Sequence, residues 1–420
     1  MSFLKKFFAD YNKVEKSFII SVISVVFFVS CEYAIVRPAS TSIFLATFTS
    51  KSFPVCWILA VPLNLFFVYI YNKFLPKLGC LKTFFLFVLL IIFFNNLTAL
   101  FVGKFPYIIF FQFIFKDVYI VFAFKQTWSM IHTTINTKKA KSLYGLMFGV
   151  GGFGSVIGGL VSGFFAVTLK SHNLLLLSAP IYVLVFAIYS YALKNSKIND
   201  EDFKNLLIEG NGSSKEGFAL FKKSNVLVYI LLVVVFMQVS SALLDYQYNA
   251  FLETNIPNID LRTQFTGRIT SLINSISTVF QLLGGFVLIH YLGLKRAHLI
   301  VPIMLGINSL LFLAFPIFSM AVYSFVSIKS IDYSFFGIIR EMLYIPLSLD
   351  EKYRAKAIID VFAYRAAKAV ASLFLISLQN IKVVNILLLV SIFSLIIYFL
   401  WSRVVVSMFK KHKEEINVQD

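Results

Sequence analysis

Residues 226–248 read VLVYILLVVVFMQVSSALLDYQY and contain one charged side chain, Asp245. A helix needs roughly 20 predominantly apolar residues to cross the hydrocarbon core of a bilayer. The run is long enough, and it therefore predicts a membrane-spanning helix. A charge inside such a helix is costly, so it usually faces a cavity or a partner side chain.

The composition extends this prediction to the whole chain. Of its 420 residues, 59% are apolar and 14% are charged, and the mean hydropathy is +0.83. Soluble domains average about 45–50% apolar and about 25% charged residues. These values exclude a disordered chain, a disulfide scaffold and an ordinary cytosolic enzyme, and they predict an all-α polytopic membrane protein. Three scattered cysteines and five unclustered histidines predict no metal site and no cofactor.

Hydrophobic runs divide the chain into twelve predicted membrane helices. We place them near residues 17–36, 53–72, 82–102, 106–128, 144–168, 173–193, 226–248, 269–291, 297–316, 317–339, 357–379 and 382–401. The Arg37-Pro38 step is expected to end the first run, because proline disfavours helix in the residue before it.

One long polar stretch separates the runs into two groups of six. It covers residues 195–225, with Asn211-Gly212-Ser213-Ser214 at its centre. We therefore predict an N-terminal half at 1–194, a cytoplasmic linker at 195–225, a C-terminal half at 226–401 and a cytoplasmic tail at 402–420. Two six-helix pseudo-repeats are the arrangement of the major facilitator architecture.

The basic residues predict the orientation. With the N-terminus inside, the cytoplasmic segments hold 26 of the 38 Lys and Arg residues, whereas the outside loops hold six. This asymmetry follows the positive-inside rule and predicts two cytoplasmic termini. The net charge of +18 is accounted for by these loops, so nucleic-acid binding is not predicted.

Charges inside the runs are confined to five of the twelve helices. Runs 1, 4, 7 and 10, which line the central cavity in major facilitator proteins, and run 11 carry Glu32, Arg37, Lys116, Asp117, Lys125, Asp245, Lys329, Asp332, Asp360, Arg365 and Lys368. The functional interpretation is a substrate cavity. The alternative is a set of buried ion pairs that hold helices together.

Helical spacing refines the functional interpretation. Lys329 and Asp332 are three residues apart and can pair on one face. Arg365 and Lys368 have the same spacing, and two like charges on one face require a nearby anion. That anion could be Asp360, Asp245 or a substrate. Because basic residues outnumber acidic residues inside the predicted runs, a small anionic solute is favoured.

A glycine-rich segment lies in the fifth run. Gly149 to Gly154 match the GxGxxG pattern, but a dinucleotide site requires a strand and a soluble βαβ unit. Gly154/Gly158 and Gly159/Gly163 have the GxxxG spacing that lets helices approach closely. We expect this stripe to face another helix, run 8.

Several segments resemble the ATP/ADP translocase family of plastids and obligate intracellular bacteria, in particular its shorter bacterial relatives. They are Tyr33-Ala34-Ile35-Val36-Arg37, the stretch from Trp128 to Gly163, Asp245-Tyr246-Gln247-Tyr248, Phe265-Thr266-Gly267-Arg268, and Lys356 to Val361 followed by Lys368. The resemblance covers about 130 residues spread over both halves, and it implies a major facilitator fold and nucleotide transport.

The resemblance also implies which charges act in transport. The family's basic residue of helix 1, glutamate of helix 7 and lysine of helix 11 fall on Arg37, Asp245 and Lys368. A second helix-1 lysine falls on Ser40, and the helix-4 acid falls on Lys116, beside Asp117.

These observations lead to one principal function and two alternatives. The principal hypothesis is a transporter, not an enzyme, in the bacterial inner membrane. We expect it to be a monomer that exchanges a nucleotide or related anion by alternating access, with binding near the midplane between the halves. Arg37, Lys116, Asp117, Lys125, Asp245, Arg365 and Lys368 would bind the substrate, and Glu32, Lys329 and Asp332 would serve in coupling or ion pairing. The alternatives are a proton- or ion-coupled carrier of another solute and a polytopic protein that does not transport.

The orientation is testable with reporter fusions. We expect reporters fused after Lys197 and after Lys413 both to be active only on the cytoplasmic side, because the basic residues are concentrated in the segments assigned there. An extracytoplasmic signal at either position would reverse the orientation.

Overall fold

The computed structural model describes residues 11–134, 137–196, 220–222, 224–348, 356–359, 363–381 and 385–411. Within these ranges every regular element is a helix. In chain order they are α1 (Lys13–Phe48), a 3₁₀ turn (Ser50–Ser52), α2 (Phe53–Phe101), α3 (Tyr107–Thr134), α4 (Thr137–Leu169), α5 (Ser171–Leu176), α6 (Ser178–Asn195), α7 (Asn225–Asn255), α8 (Ile259–Val279), a π-helix (Phe280–Gly284), α9 (Gly285–Ala314), α10 (Phe318–Ile331), a second π-helix (Asp332–Phe336), α11 (Gly337–Tyr344), α12 (Lys356–Ile358), α13 (Tyr364–Asn380) and α14 (Ile386–Lys411).

Eight helical segments of the described chain are long and apolar enough to cross a membrane. They are Lys13–Phe48, Ser50–Phe101, Tyr107–Ile131, Gly145–Leu169, Ser171–Asn195, Asn225–Asn255, Tyr291–Ala314 and Ile386–Lys411. Asp360 and most of the predicted linker at 195–225 lie outside the described residues. The last helix continues to Lys411, so the predicted tail at 402–420 begins inside α14.

Two of the long helices contain a sharp break. Gly79 in α2 has φ 75° and ψ 171°, and Gly293 in α9 has φ 69° and ψ 159°. Glycine adopts positive φ at little cost because it has no Cβ. Residues 53–78 and 80–101 are therefore two separate helical arms.

The predicted end of the first helix at Arg37-Pro38 is wrong. Helix α1 includes Pro38 and continues to Phe48. Proline within a helix removes one backbone hydrogen bond. A helix that ended in hydrocarbon would leave several polar groups unsatisfied, which is costlier, and this explains why membrane helices tolerate proline.

The chain forms two compact units, each with its own core. Unit 1 comprises Met1–Phe44, Leu63–Gly210 and Ile259–Ser271. Its core is rich in aromatic residues from α2 and α3, such as Phe87 and Phe122, whose rings stack at 4.8 Å. Unit 2 comprises Leu45–Pro62, Asn211–Asn258 and Leu272–Asp420. The fully buried Trp401 of α14 packs edge-on against Phe336 in the core of unit 2.

The two π-helices lie against each other in unit 2. The side-chain amide of Gln281 donates a hydrogen bond of 2.6 Å to the carbonyl of Tyr333. A π-helix interrupts the regular hydrogen-bond ladder, and such interruptions are frequent at functional sites. The second π-helix begins at Asp332, one of the predicted site residues.

The glycine stripe of α4 contacts two helices of unit 1. A Cβ on Gly159 would lie 2.8 Å from the backbone nitrogen of Ser271, and one on Gly163 would lie 3.1 Å from that of Arg268, so this side of the stripe meets α8 as predicted. Gly154 and Gly158 instead meet α1, at the carbonyls of Phe27 and Cys31. Adjacent glycines point to different sides of α4, so the stripe packs against two helices.

Polar contacts also hold the start of α8 within unit 1. The carboxylate of Asp260 accepts hydrogen bonds from the backbone N–H and the hydroxyl of Ser171, at 2.7 and 2.8 Å. Lys170 lies 3.5 Å from the same carboxylate. Partial burial raises the pKa of Asp260, but these donors outweigh it and hold the pKa below its usual range.

The close approach of α4 to α1 is testable at Gly158. We expect Gly158→Ala to lower the free energy of unfolding by about 1–3 kcal/mol, because the new Cβ would overlap the backbone of α1. Thermal unfolding of the detergent-purified protein measures the effect.

Gly145 provides a matched control in the same helix. A Cβ there has no heavy atom within 4 Å among the described residues. Gly145→Ala should leave stability unchanged or raise it by up to about 1 kcal/mol, the helix-propensity gain. Equal destabilisation by both substitutions would contradict the packing argument.

Candidate functional site

In unit 1, the predicted site residues Lys116 and Asp117 of α3 form an ion pair, and Tyr33 of α1 contacts its carboxylate. The Lys116 ammonium donates to Asp117 at 3.1 Å and to the carbonyl of Phe113 at 3.0 Å. The hydroxyl of Tyr33 donates to the same Asp117 carboxylate at 2.9 Å. Lys116 is buried and Asp117 is 37% exposed. The pair is therefore a neutralised cation next to a carboxylate that solvent or a solute can reach.

The predicted residue Glu32 forms a second link between α1 and α3. Its carboxyl group is fully buried, and the hydroxyl of Tyr119 lies 3.1 and 3.3 Å from its two oxygens. Glu32 and Tyr33 are adjacent on α1, and their partners Tyr119 and Asp117 are two residues apart on α3. The two links are therefore neighbours in the same helix contact.

The position of the family's second helix-1 lysine is occupied by a buried serine. The hydroxyl of Ser40 donates to Gln112 at 2.6 Å, and the Gln112 amide donates to Asn95 at 2.8 Å. This uncharged network joins α1, α2 and α3. Hydrogen bonds between neutral side chains, rather than a cation, link the three helices at this point.

Two further predicted residues of unit 1, Arg37 and Lys125, lie on α1 and α3. Arg37 is half-buried on α1, one helical turn beyond Tyr33. Lys125 lies 4.7 Å from the centre of the Tyr71 ring and 3.5 Å from the side-chain oxygen of Asn72. Lys125 is therefore directed at α2.

In unit 2, the predicted residues of α7 and α10 form a buried ion pair. The Lys329 ammonium lies 3.4 Å from Asp245 and donates to the hydroxyl of Ser241 at 2.8 Å. The side chains of Lys329 and Asp245 are 8% and 14% exposed. Asp332 accepts a hydrogen bond of 3.1 Å from the Gln238 amide of α7. Each acidic residue thus has a partner on the neighbouring helix, and Lys329 bridges α10 to α7.

The remaining predicted cations lie on α13. Arg365 and Lys368 are half-buried and three residues apart, so they share one face. The Lys368 ammonium lies 4.8 Å from the centre of the Trp57 ring, a cation–π distance. The aromatic face holds the cation without removing its charge. Such a cation can still form hydrogen bonds with an anion.

The sequence analysis missed several residues that complete these arrangements, Tyr119 beside Glu32 among them. Tyr33, Trp57, Gln238 and Ser241 contact the charged side chains directly. The sequence did contain a signal for two of them. Gln238 and Ser241 lie seven and four residues before Asp245, which places all three on one face of α7. Among the described residues, no three His, Cys, Asp or Glu side chains are grouped as a metal site requires.

Comparisons with known protein families agree with the resemblance seen in the sequence. Residues 321–412 match the family model described as TLC ATP/ADP transporter. This region contains Lys329, Asp332, Arg365 and Lys368. The resemblance to the ATP/ADP translocase family is thereby confirmed.

Curated relatives extend the similarity beyond that region. The ADP,ATP carrier protein 3 of Rickettsia bellii is 24% identical over 337 residues, which cover 68% of this chain and 67% of the relative. The ADP,ATP carrier protein 1 of Chlamydia muridarum is 26% identical over 215 residues, which cover 45% and 40%.

Solved structures show the fold. The nucleoside transporter NupG superposes with a TM-score of 0.65 at 12% identity and covers 94% of this chain and 99% of its own. A D-xylose-proton symporter gives a TM-score of 0.67 at 14% identity, covering 94% and 97%. The prediction of an all-helical, multi-pass membrane protein with the fold of such transporters is confirmed.

The buried ion pair of unit 2 is testable by a double-mutant cycle. Asp245→Asn should lower the free energy of unfolding by about 3–5 kcal/mol, because it leaves the Lys329 charge buried without its carboxylate. Asp245→Asn combined with Lys329→Met should recover much of this loss. Thermal unfolding in detergent gives the four stabilities of the cycle.

An exposed pair provides the control for this cycle. Lys170 is 64% exposed beside Asp260, and Lys170→Met should cost at most about 1 kcal/mol. Additive effects of the Asp245 and Lys329 substitutions would mean that the two charges do not interact.

Proposed function

We propose that this protein is a membrane transporter that exchanges nucleotides of the ADP/ATP type by alternating access. The observation that carries the proposal is the pair of cations on α13, Arg365 and Lys368, which lies within the segment similar to ATP/ADP transporters. The names of the Rickettsia and Chlamydia relatives support the same class of substrate.

The proposal includes twelve membrane helices in two halves of six, at residues 1–194 and 226–401, joined by a linker at 195–225. The breaks at Gly79 and Gly293 support this number, because each divides one long helix into two segments. With α5 and α6 as one span, α8 and the arm of α9 before Gly293 as another, α10 and α11 as a third, and α12 and α13 as a fourth, the chain has twelve crossings. Both termini are cytoplasmic, the membrane is the bacterial inner membrane, and the protein acts as a monomer.

In the proposed binding mechanism, basic residues hold the phosphates. Arg37 and Arg365 offer planar guanidinium groups that match phosphate oxygens, whereas Lys368 acts as a point charge. An arriving phosphate adds charge-assisted hydrogen bonds to Lys368 while the Trp57 ring continues to orient the ammonium. The substrate-binding set is completed by Lys116, Asp117, Lys125 and Asp245.

The carboxylates have a separate role in this proposal. Asp117 and Asp245 neutralise Lys116 and Lys329 while no substrate is present. A buried cation without a partner is strongly disfavoured, so these pairs let the empty protein retain its charges. A substrate phosphate can take the place of Asp117 beside Lys116, or of Asp245 beside Lys329. Binding of the substrate then requires the lysine to exchange its carboxylate partner for the phosphate.

A second candidate is a proton- or ion-coupled carrier of another small solute. The fully buried carboxyl of Glu32 favours it, because no described Lys or Arg forms an ion pair with this group. The two candidates share a fold and differ in driving force and solute.

Counterflow in proteoliposomes tests the proposal. Vesicles loaded with unlabelled ADP or ATP should take up labelled nucleotide, with saturation, and a panel of organic anions and neutral solutes should compete weakly or not at all. Saturable uptake of a neutral solute without nucleotide exchange would favour the second candidate. Absence of any saturable uptake would contradict both.

Lys368 gives a sharper test of substrate charge. A hydrogen bond to a charged group contributes about 1.5–3 kcal/mol, so Lys368→Ala should weaken nucleotide affinity roughly ten- to a hundredfold. Lys368→Arg should retain partial activity because it keeps the charge with a different shape. Concentration-dependent counterflow measures both variants.

Two comparisons show whether this loss concerns the substrate. Lys104→Ala removes an exposed lysine and should leave affinity unchanged. If Asp245→Asn restored transport to Lys368→Ala, Lys368 would serve to neutralise Asp245 and the substrate role would be refuted.

A further inference from the structure

Of the charged side chains that the structure describes in unit 1, Glu32 is the most deeply buried. It has no exposed surface, and its hydrogen-bonding neighbour is the hydroxyl of Tyr119. The Tyr182 ring packs edge-on against Tyr119, with ring centres 6.0 Å apart. The buried Tyr182 hydroxyl has no hydrogen-bond partner among the described residues. Among the described residues, this acid therefore contacts one phenol, has a second phenol behind it, and forms no ion pair with a cation.

The carboxyl groups of Asp117 and Glu32 differ in how their charge can be neutralised. Asp117 has the Lys116 ammonium at 3.1 Å and a partly exposed side chain. Glu32 forms no ion pair with any described residue and has no access to water. An ionised carboxylate in such a place is strongly disfavoured, and it becomes neutral by binding a proton. The geometry accordingly requires a carboxylic acid in this conformation.

Among the described residues, the side chains that pack around Glu32 carry no charge that would compensate a carboxylate. Cys31 and Tyr33 flank Glu32 on α1, Tyr119 faces it from α3, and Tyr182 packs behind Tyr119 from α6. All four side chains are neutral acids. On the α4 side, Gly158 meets the backbone of α1 at Cys31 and brings no side chain. On α3, the charged residues nearest in sequence to Tyr119 are Lys116 and Asp117, and these two form an ion pair with each other.

The position of Glu32 links its protonation to the substrate-binding residues. The Glu32–Tyr119 contact is adjacent to the Tyr33–Asp117 contact between the same two helices. Separation of α1 from α3 would expose Glu32 to water and would break the Tyr33 hydrogen bond to Asp117. One helix movement thus alters both the acid and the carboxylate that we propose near the substrate.

We propose that Glu32 is a proton-binding site that couples nucleotide movement to a proton gradient. The proposal deepens the proposed function and rests on it. Glu32 binds one proton when α1 and α3 close and gives the same proton to water when they separate on the other side of the membrane. The step forms and breaks a single O–H bond at the carboxylate, and it involves no oxidation or reduction.

Uptake driven by a pH gradient tests the coupling. Proteoliposomes should accumulate labelled nucleotide up to about tenfold more for each unit of pH difference and each coupled proton. Glu32→Gln imitates the protonated acid, so it should retain counterflow exchange within about twofold of the unaltered protein and lose all response to the gradient. Glu15→Gln, an acid-to-amide change near the start of the same helix, should respond like the unaltered protein.

Infrared spectroscopy provides a measurement that does not depend on transport. The purified protein at neutral pH should show the C=O band of a buried carboxylic acid, Glu32→Gln should lack that band, and Glu15→Gln should retain it. If Glu32→Gln does not fold, Glu32→Asp should keep the band at a shifted frequency.

The outcomes separate the two proposals. A gradient response in Glu32→Gln equal to that of the unaltered protein, or no response in the unaltered protein, would overturn the role of Glu32 in coupling. Absence of the carboxylic acid band would overturn the bound proton itself. Failure of nucleotide exchange in the unaltered protein would refute the proposed nucleotide transport and leave the infrared result as an independent test of the proton site.

Discussion

A charge inside the hydrocarbon of a membrane has to be neutralised by a partner or by a proton, and this constraint shapes both units. Lys116 pairs with Asp117, and Lys329 pairs with Asp245. Glu32 has two phenols nearby and forms no ion pair within the described part of the chain. In the proposed function, the pairs hold cations ready for an anionic solute, whereas an acid without an ion-pair partner is suited to binding a proton. The cost of burying a charge is therefore met in two ways, by an ion pair at the lysines and by a bound proton at Glu32.

The neutralising contacts depend on helices that approach closely. Gly154 and Gly158 let α4 lie directly against α1, at the backbone of Phe27 and Cys31. Tyr33 and Glu32 follow immediately on that segment and form their contacts with α3. Close packing on one side of α1 thus positions polar contacts on another. A transporter requires this combination, because helix movement has to change several contacts together.

Some features of the site follow from sequence spacing and others do not. The identity of the charged runs and the shared face of Arg365 and Lys368 required only hydropathy and helical periodicity. The predicted partner of Lys329 was Asp332, because helical spacing places residues three apart on one face. The structure places Lys329 beside Asp245. The second π-helix begins at Asp332, and a change in helix type alters the directions of side chains three residues apart.

The sequence by itself determined the class of the molecule: an all-helical membrane protein whose few intramembrane charges lie in particular helices. It could do so because the cost of exposing polar groups to hydrocarbon acts on every residue locally. Only the tertiary structure decided that α1 continues through Pro38, that the glycine stripe serves both α1 and α8, and that Trp57 lies against Lys368. These outcomes depend on which helices are neighbours, and residues distant in sequence become neighbours through packing that no local pattern records.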